Sequence, residues 1–514
     1  MAKKDSRINR LTRREFLTTT AAAAGGIAAA SLLGSACAPV PTPTPVGGTP
    51  TPGGKNFSGV TITVAVGSFM TPGAAMFKEA WESRTGGKVN IVEIPFGDLY
   101  QKLYSSFTGA VEAYDVAIYA SNWIPDFAKD GYIASLEKYY PEKDNWDSVI
   151  PQVQRIMYVK GERYSVPMDG DVIFGYYRKD ALEDEEYRKR FEDEYGYPLE
   201  LPKTWNEYRD IAEFFTGWDW AKTGKPCFGV LEAQKPKDVG PYIYTCRAAC
   251  YSAHPDDPGG FWFDPDTMEP LVANPGWVRA VEEWKEITPL GPPEMITWGG
   301  GEMRGNFVAG NYALGIDWAD VGIMAQDEDK SIIKGKLGYF IAPGSKEVYN
   351  RKTGQWDTFD EIQYAPYQGW GGWHASVTAN SKHPEAAWDF ANFIDSTPNA
   401  LAAVTTPGTA RNPYRTDHFD PSKWTDAPVK YKDPEQYLEV QKAALTHPNS
   451  QLDLRIPKAG RYIDTLDKWV QLALAGQMSA EDALAQCKDE WADITEEVGL
   501  ESQKEFYRSL YGLV

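Results

Sequence analysis

Residues 39 to 54 read PVPTPTPVGGTPTPGG, and a run of that composition cannot bury a core. It favours extended polyproline conformation, which at ~3.1 Å per residue reaches roughly 50 Å. Whatever folds cooperatively therefore lies beyond it, in a body of about 460 residues. A body of that size exceeds one typical core and is expected to form two lobes.

The segment ahead of the tether reads as an export signal. Arg7, Arg10, Arg13 and Arg14 precede an apolar, Ala-rich run from Phe16 to Leu33 that contains no acid. Its alanines and Gly25-Gly26 make it only weakly hydrophobic, so a cleaved segment (residues 1 to 36) fits better than a membrane span. Thr12-Arg13-Arg14-Glu15-Phe16-Leu17 resembles the twin-arginine signal, which directs folded proteins across the membrane. Leu33-Gly34-Ser35-Ala36-Cys37 resembles a lipobox, with Cys37 as the lipidated residue. The match is imperfect, because Gly34 lies three before the cysteine. The alternative is an ordinary small-residue cleavage site. With a lipid on Cys37, residues 37 to 56 would hold the body off the outer face of the cytoplasmic membrane.

Without residues 1 to 36 the chain keeps 46 basic and 70 acidic side chains, a formal charge of −24. That excludes nucleic acid and anionic lipid as natural partners. Cys227, Cys246, Cys250 and Cys487 remain in the body. In an exported protein either Cys246–Cys250 or Cys227 with one of them could pair, or all four could be buried thiols.

Val60 to Val66 alternates as a strand, Thr71-Pro72 offers a helix start for a helix towards Trp81, and Val89 to Ile94 is a second strand after Gly86-Gly87. A helix from Leu99 to Thr108, a buried strand from Asp115 to Tyr119 and a helix from Pro125 to about Gly131 follow. Strand, helix, strand in succession predicts a parallel sheet covered by helices. Thr204-Trp205-Asn206-Glu207 is a capping box, Pro384 opens an amphipathic helix burying Ala387, Trp388, Ala391 and Ile394, and Ser479 to Asp482 starts another.

Signatures of catalysis and metal binding are missing. The chain has no H-E-x-x-H, no C-x-x-C pair, no Walker loop, no G-x-S-x-G elbow and no G-x-G-x-x-G after a strand. Its five histidines are scattered, and the acids from Asp256 to Asp266 lack the spacing of a calcium loop. No metal or cofactor is expected. A glycoside hydrolase needs only two carboxylates about a bond, and nothing selects such a pair.

The informative excess is tryptophan, eighteen in all, many beside glycine, proline or acids. Indole faces pack on the C–H patches of a pyranose while carboxylates and amides meet its hydroxyls. Loops after strands are where ligands bind in such sheets.

Ser165-Val166-Pro167 through Tyr176-Tyr177-Arg178-Lys179-Asp180-Ala181-Leu182 resembles a segment of the family 1 extracellular solute-binding proteins. Pro202-Lys203-Thr204-Trp205-Asn206-Glu207 matches the element that follows there, delayed by a charged stretch from Glu183 to Glu200. Phe307 to Leu314, Tyr339 to Gly344, and Gly371-Gly372-Trp373 through Asn380-Ser381-Lys382 to Phe390 resemble later elements in the same order. The resemblance implies an α/β, two-lobe periplasmic-binding-protein-like fold of type II, hinged about a ligand cleft. It implies residues 57–172 with 345–397 as one lobe and 173–344 with 398–514 as the other. It also implies a monomeric receptor of an ABC importer, without catalysis, that passes a sugar of one to several units to the permease. The alternatives are a polyamine, peptide or other polyol in the same fold, and a lipid-anchored glycoside hydrolase.

Within that frame the expected ligand contacts are Phe69, Asn122 and Trp123 after strands, and Asp169 and Asp171 before the first crossing. Trp298, Asp317 and Trp318, then Trp370 and Trp373 beside the hinge, and Arg411 in the loop after Pro407-Gly408 complete the set. Turn chemistry at Gly170 is the alternative for the two early aspartates. For Asp317 it is capping of the next helix, for Arg411 a structural ion pair, and for Trp373 hinge packing.

Overall fold

A computed structural model describes residues 55–109, 114–139, 146–425, 427 and 430–513. The export signal, Cys37 and all but the last two residues of the tether lie outside the described residues.

Nine strands build the two larger sheets: β1 (Thr61–Gly67), β2 (Lys88–Ile94), β3 (Val116–Ala120), β4 (Val166–Pro167), β5 (Phe174–Arg178), β6 (Phe228–Leu231), β7 (Tyr312–Asp317), β8 (Leu337–Phe340) and β9 (Trp373–Val377). The first sheet has the order β2-β1-β3-β9-β4, with β1 to β3 parallel and β9 antiparallel to β3. The second has the order β8-β5-β7-β6, in which only β6 and β7 are parallel. All five residues of β3 are buried, as an unbroken apolar run demands when helices cover both faces. The chain is thus a two-lobe α/β fold with one sheet per lobe.

Local chemistry sets the helix limits. Thr204 Oγ1 accepts from the amide of Glu207 at 3.3 Å while Glu207 Oε2 accepts from that of Thr204 at 2.9 Å, closing the capping box that starts Trp205–Phe214. Ser479 accepts from the Asp482 amide at 3.0 Å to start Ala480–Val498. The expected helix after Thr71 is two helices, Thr71–Ala75 and Lys78–Thr85, the latter ending on Gly86 at φ 73°. The charged stretch after Glu183 folds as the helix Glu185–Tyr195, whose Phe191 packs against Phe214 at 5.4 Å. The four body cysteines are buried free thiols, so none of the considered disulfides forms.

The first crossing lies between β4 and β5, and Gly170 is its tightest point. A Cβ there would stand 2.2 Å from the carbonyl oxygen of Pro413, so only glycine allows the approach. The second crossing comes later than expected. Residues 345 to 363 form a hairpin, Ser345–Asn350 with Gln355–Gln363, that packs on the second lobe. Polar pairs hold it there: Arg279 with Glu347 at 3.1 Å, His254 with Asp357 at 3.1 Å, and the Arg279 guanidinium over Trp356. The return to the first sheet is made by the loop Gly369–Gly372 ahead of β9.

The third crossing is also displaced. Residues 398 to 419, expected in the second lobe, stay with the first because Asp395 at the end of the helix Pro384–Ile394 holds Arg415 at 2.7 Å, with Arg411 3.8 Å away. Only at Trp424, packed on Tyr431 and Tyr437 beside Tyr339 of β8, does the chain reach the second lobe. Its last helices, Ala459–Leu474 and Ala480–Val498, pack on Pro275–Ile287 of that lobe.

Candidate functional site

The carboxyl ends of β1, β3 and β7 point into the seam between the lobes, and each is followed within three residues by an aromatic one: Phe69, Trp123 and Trp318. This is the position at which open α/β sheets hold ligands. Trp318 of the second lobe stacks on Trp370 of the crossing loop, centroids 5.0 Å apart and planes at 23°. Trp373 meets Trp370 edge-on at 6.0 Å, and Phe96 touches both, at 5.0 Å from Trp370 and 5.7 Å from Trp373. Tyr242 closes the box against Trp370 at 5.2 Å and Trp318 at 6.0 Å.

The crossing loop is held in an unusual backbone. Trp370, Gly371 and Gly372 take φ of 62°, 68° and 88°, a left-handed run that disfavours a bulky residue at its first position. Contacts from three sides fix it. Ser121 Oγ donates to the Trp370 carbonyl at 2.6 Å, Asp453 accepts from the Trp370 amide at 3.1 Å, and the Trp318 indole donates to the Gly369 carbonyl at 3.0 Å. A Cβ on Gly371 would fall 2.6 Å from Ser121 Oγ.

Carboxylates stand beside the rings. Asp171 and Asp320 line the small cavity left between the lobes, with Arg304, Phe69, Trp318, Trp370 and Trp373. Asp169 is fully buried behind Asp171; its Oδ1 accepts from the amides of Gly170 and Asn412, and its Oδ2 has no partner. Burial pushes the Asp169 carboxyl up to about 7, and burial followed by the neighbouring Asp169 charge raises Asp171 well above the usual carboxylate range. Asp317, pushed up to about 6 by burial, is gripped by Arg304 at 2.6 and 3.3 Å. Arg304 also reaches Asp320 at 3.3 Å, so the one basic side chain lining the cavity is already committed.

The expected contacts divide by position. Phe69, Asp171, Trp318, Trp370 and Trp373 line the cavity together. Trp123 lies one layer back, stacked on Phe96 at 5.9 Å, and Asn122 is buried beside Asp453 at 3.2 Å. Trp298 is half-buried, with its carbonyl accepting from the Lys235 amide. Asp317 sits behind Arg304, and Arg411 spends its donors on Met168 O, Ile394 O and Tyr414 Oη. Sequence reasoning missed Phe96, Tyr242, Arg304 and Asp320. Phe96 follows β2 as Phe69 follows β1, so the same rule could have found it; Tyr242 and Arg304 sit within helices and carry no such signal.

The cavity volume is about 10 Å³, room for one water molecule at most. The lobes are therefore closed on one another, and their aromatic faces meet where a ligand ring would enter. Among the described residues no group of three or more His, Cys, Asp or Glu side chains could hold a metal ion.

A model of the bacterial extracellular solute-binding protein family matches residues 74–432. Among solved structures, the chain is similar to an ABC transporter solute-binding protein from Agrobacterium radiobacter K84 in complex with ribitol, at 19% identity and a TM-score of 0.69, covering 86% of this chain and 100% of that one. An ABC transporter solute-binding protein from Thermotoga lettingae TMO bound with α-D-tagatose matches at 19% identity and 0.65, over 85% and 99%. Maltose-bound MalE3 of T. maritima matches at 19% and 0.65, over 85% and 100%. A match over most of the folded body, on a fold that these structures share, carries the conclusion: the chain belongs to the bacterial extracellular solute-binding protein family.

Proposed function

We propose that this protein is the extracytoplasmic receptor of an ABC importer and that it encloses a sugar or sugar alcohol between its lobes. The observation that carries this reading is the stacked pair Trp318 and Trp370, one ring from each side of the seam, beside the buried carboxyl of Asp171. Aromatic faces and hydrogen-bonding carboxyls are what a hydroxyl-rich, uncharged ring or chain requires. An anion would need free guanidinium or ammonium groups, and the one lining the cavity, Arg304, is paired twice. Ligand touching both lobes favours the closed form through contacts the open form lacks, and the permease then reads that closed surface. No bond is made or broken. Cleavage of the segment before Cys37 and lipidation of that residue, as the lipobox-like run suggests, would leave the receptor on the outer face of the membrane. The structural neighbours bound with ribitol, tagatose and maltose support the ligand class.

A second reading is favoured by one feature. Asp171, Asp317 and Asp320 stand round a single Arg304, and surplus carboxyls beside indole faces also suit a protonated amine.

A thermal-shift screen against alditols, mono-, di- and oligosaccharides, with polyamines and peptides beside them, decides between the two. A ligand at a hundred times its dissociation constant adds ~2.7 kcal/mol to the folded state. A shift confined to sugars or alditols, lost in Trp318→Ala and kept in part by Trp318→Phe, supports the first reading. A shift with amines alone replaces it with the second.

A further inference from the structure

A cavity larger than the aromatic one lies elsewhere along the seam. A space of about 410 Å³ opens between the first-lobe segment Pro151 to Gly161 and the C-terminal helix Leu500–Leu510, with Pro125 and Arg455 on its walls. Tyr507 anchors that helix to the second lobe by donating to the Gly259 carbonyl at 2.6 Å. The cavity therefore has a wall from each lobe.

Its charge runs against that of the molecule. The chain carries a formal −20, yet no carboxylate lines this space and three basic side chains do: Arg155, Lys160 and Arg455. Lys160 is neutralised by Glu505 at 2.7 Å, on the exposed side. Arg455 is buried and donates only to neutral carbonyls, of Ser121 at 3.4 Å and Ile156 at 2.5 Å. Among the described residues the Arg155 side chain makes no hydrogen bond or ion pair, and the two guanidinium groups lie close enough that the charge of Arg155 helps depress Arg455. Asp453 behind Arg455 offsets part of that charge, and two like charges facing one concave, partly desolvated space are unfavourable unless a further counter-charge joins them. Of the other walls, Pro125, Tyr158, Val159, Phe506 and Leu510 are apolar or aromatic and Gln154 and Ser509 are polar, and the volume is that of a small-molecule site.

We propose that this cavity is a second ligand site, distinct from the aromatic cleft, that takes a small organic anion with its carboxylate or phosphate on Arg155 and Arg455 and its apolar body against Phe506 and Leu510. Guanidinium forks suit either anion, and the apolar wall selects an organic one over bare phosphate. The proposal is independent of what the cleft binds.

Isothermal titration of the purified protein with phenyl phosphate, benzoate, inorganic phosphate and uncharged benzyl alcohol, at constant ionic strength, tests it. Saturable one-to-one binding of phenyl phosphate or benzoate is expected, with benzyl alcohol silent and inorganic phosphate at least tenfold weaker. The relative strength of the first two tells a phosphate ester from a carboxylate. Arg155 is exposed to the cavity and its side chain holds no partner among the described residues, so Arg155→Ala should fold normally and weaken binding at least tenfold, with Arg155→Lys in between. Arg188→Ala, an exposed arginine elsewhere, should change nothing. No saturable binding of either organic anion, equal affinity in Arg155→Ala, or equal loss in Arg188→Ala would overturn the site.

Discussion

Asp169 shows what the closed seam asks of single residues. Its carboxyl has no solvent contact, accepts two amide donors through one oxygen and leaves the other without a partner. In the unfolded chain such a group ionises near pH 3.8, whereas in the folded protein it holds its proton to about 7. Between those values the native state binds a proton the unfolded state has released, so this group makes stability fall as pH rises from about 4 to about 7 and level off above. Asp317 and Asp453, both pushed up to about 6, act in the same sense over a narrower window. Urea unfolding of Asp169→Asn across pH 4 to 8 should show a clearly shallower decline than the parent, with the rest of the slope left to the other raised carboxyls, Asp171 among them. Equal slopes would mean that Asp169 ionises freely in the fold. At this scale the sequence marks side chains that closely follow a strand: Phe69 after β1 and Trp318 after β7 line one cavity with Trp370 of the crossing loop and Trp373 at the start of β9. Residues whose place depends on how a helix is rotated, Tyr242 and Arg304, carry no mark in a linear reading. Arg411 shows the opposite case, since an arginine in the loop after Pro407-Gly408 looks free until the carbonyls of Met168 and Ile394 are brought to it by the fold.

Elements with strong local chemistry were readable to within a residue or two, and those held by tertiary charge were not. Thr204 and Glu207 announce a helix start because both bonds of the capping box lie within four residues. The hairpin Ser345–Gln363 is polar and half-exposed along both strands, and its lobe is decided by Arg279 and His254, each about seventy to a hundred residues away in sequence. The segment after Ser396 is placed the same way. Asp395 and Arg415 are both without solvent contact, and Tyr414 donates to the same carboxylate. Removing one partner of a buried pair strands the other charge, which typically costs ~3–5 kcal/mol. Asp395→Ala should lower unfolding free energy by about that amount in chemical denaturation, and it should do so without touching the aromatic box. A loss below about 1 kcal/mol would show that something other than this pair holds residues 411 to 415 on the first lobe.

For the whole molecule the decisive number is the cavity between the tryptophans, about 10 Å³. No sugar enters a space of one water, so the closed form described here must exchange with an open one, and its closure rests on contacts that cross the seam. Among them Lys458, at the foot of the helix Ala459–Leu474, pairs with Asp126 of the first lobe at 3.2 Å, and Arg455 donates to Ser121 and Ile156. The Trp318 indole adds its bond to Gly369. The two lobes are linked by three crossings, so the motion available to them is a hinge about the loops at Gly170, Gly369 to Gly372 and Phe419 to Trp424. A contact made only in the closed form lowers its free energy alone, and losing it lowers apparent affinity by the fall in closed population. Lys458→Ala should therefore enlarge the ligand-free radius of gyration in small-angle scattering and weaken cleft ligand binding several-fold, although Lys458 lies outside the aromatic box. Saturating ligand should return the variant to the compact form of the parent. A variant with unchanged radius and weaker binding would place Lys458 in direct contact with ligand, and one unchanged in both would show that the other seam contacts, of Arg455 and Trp318, hold the lobes together without it.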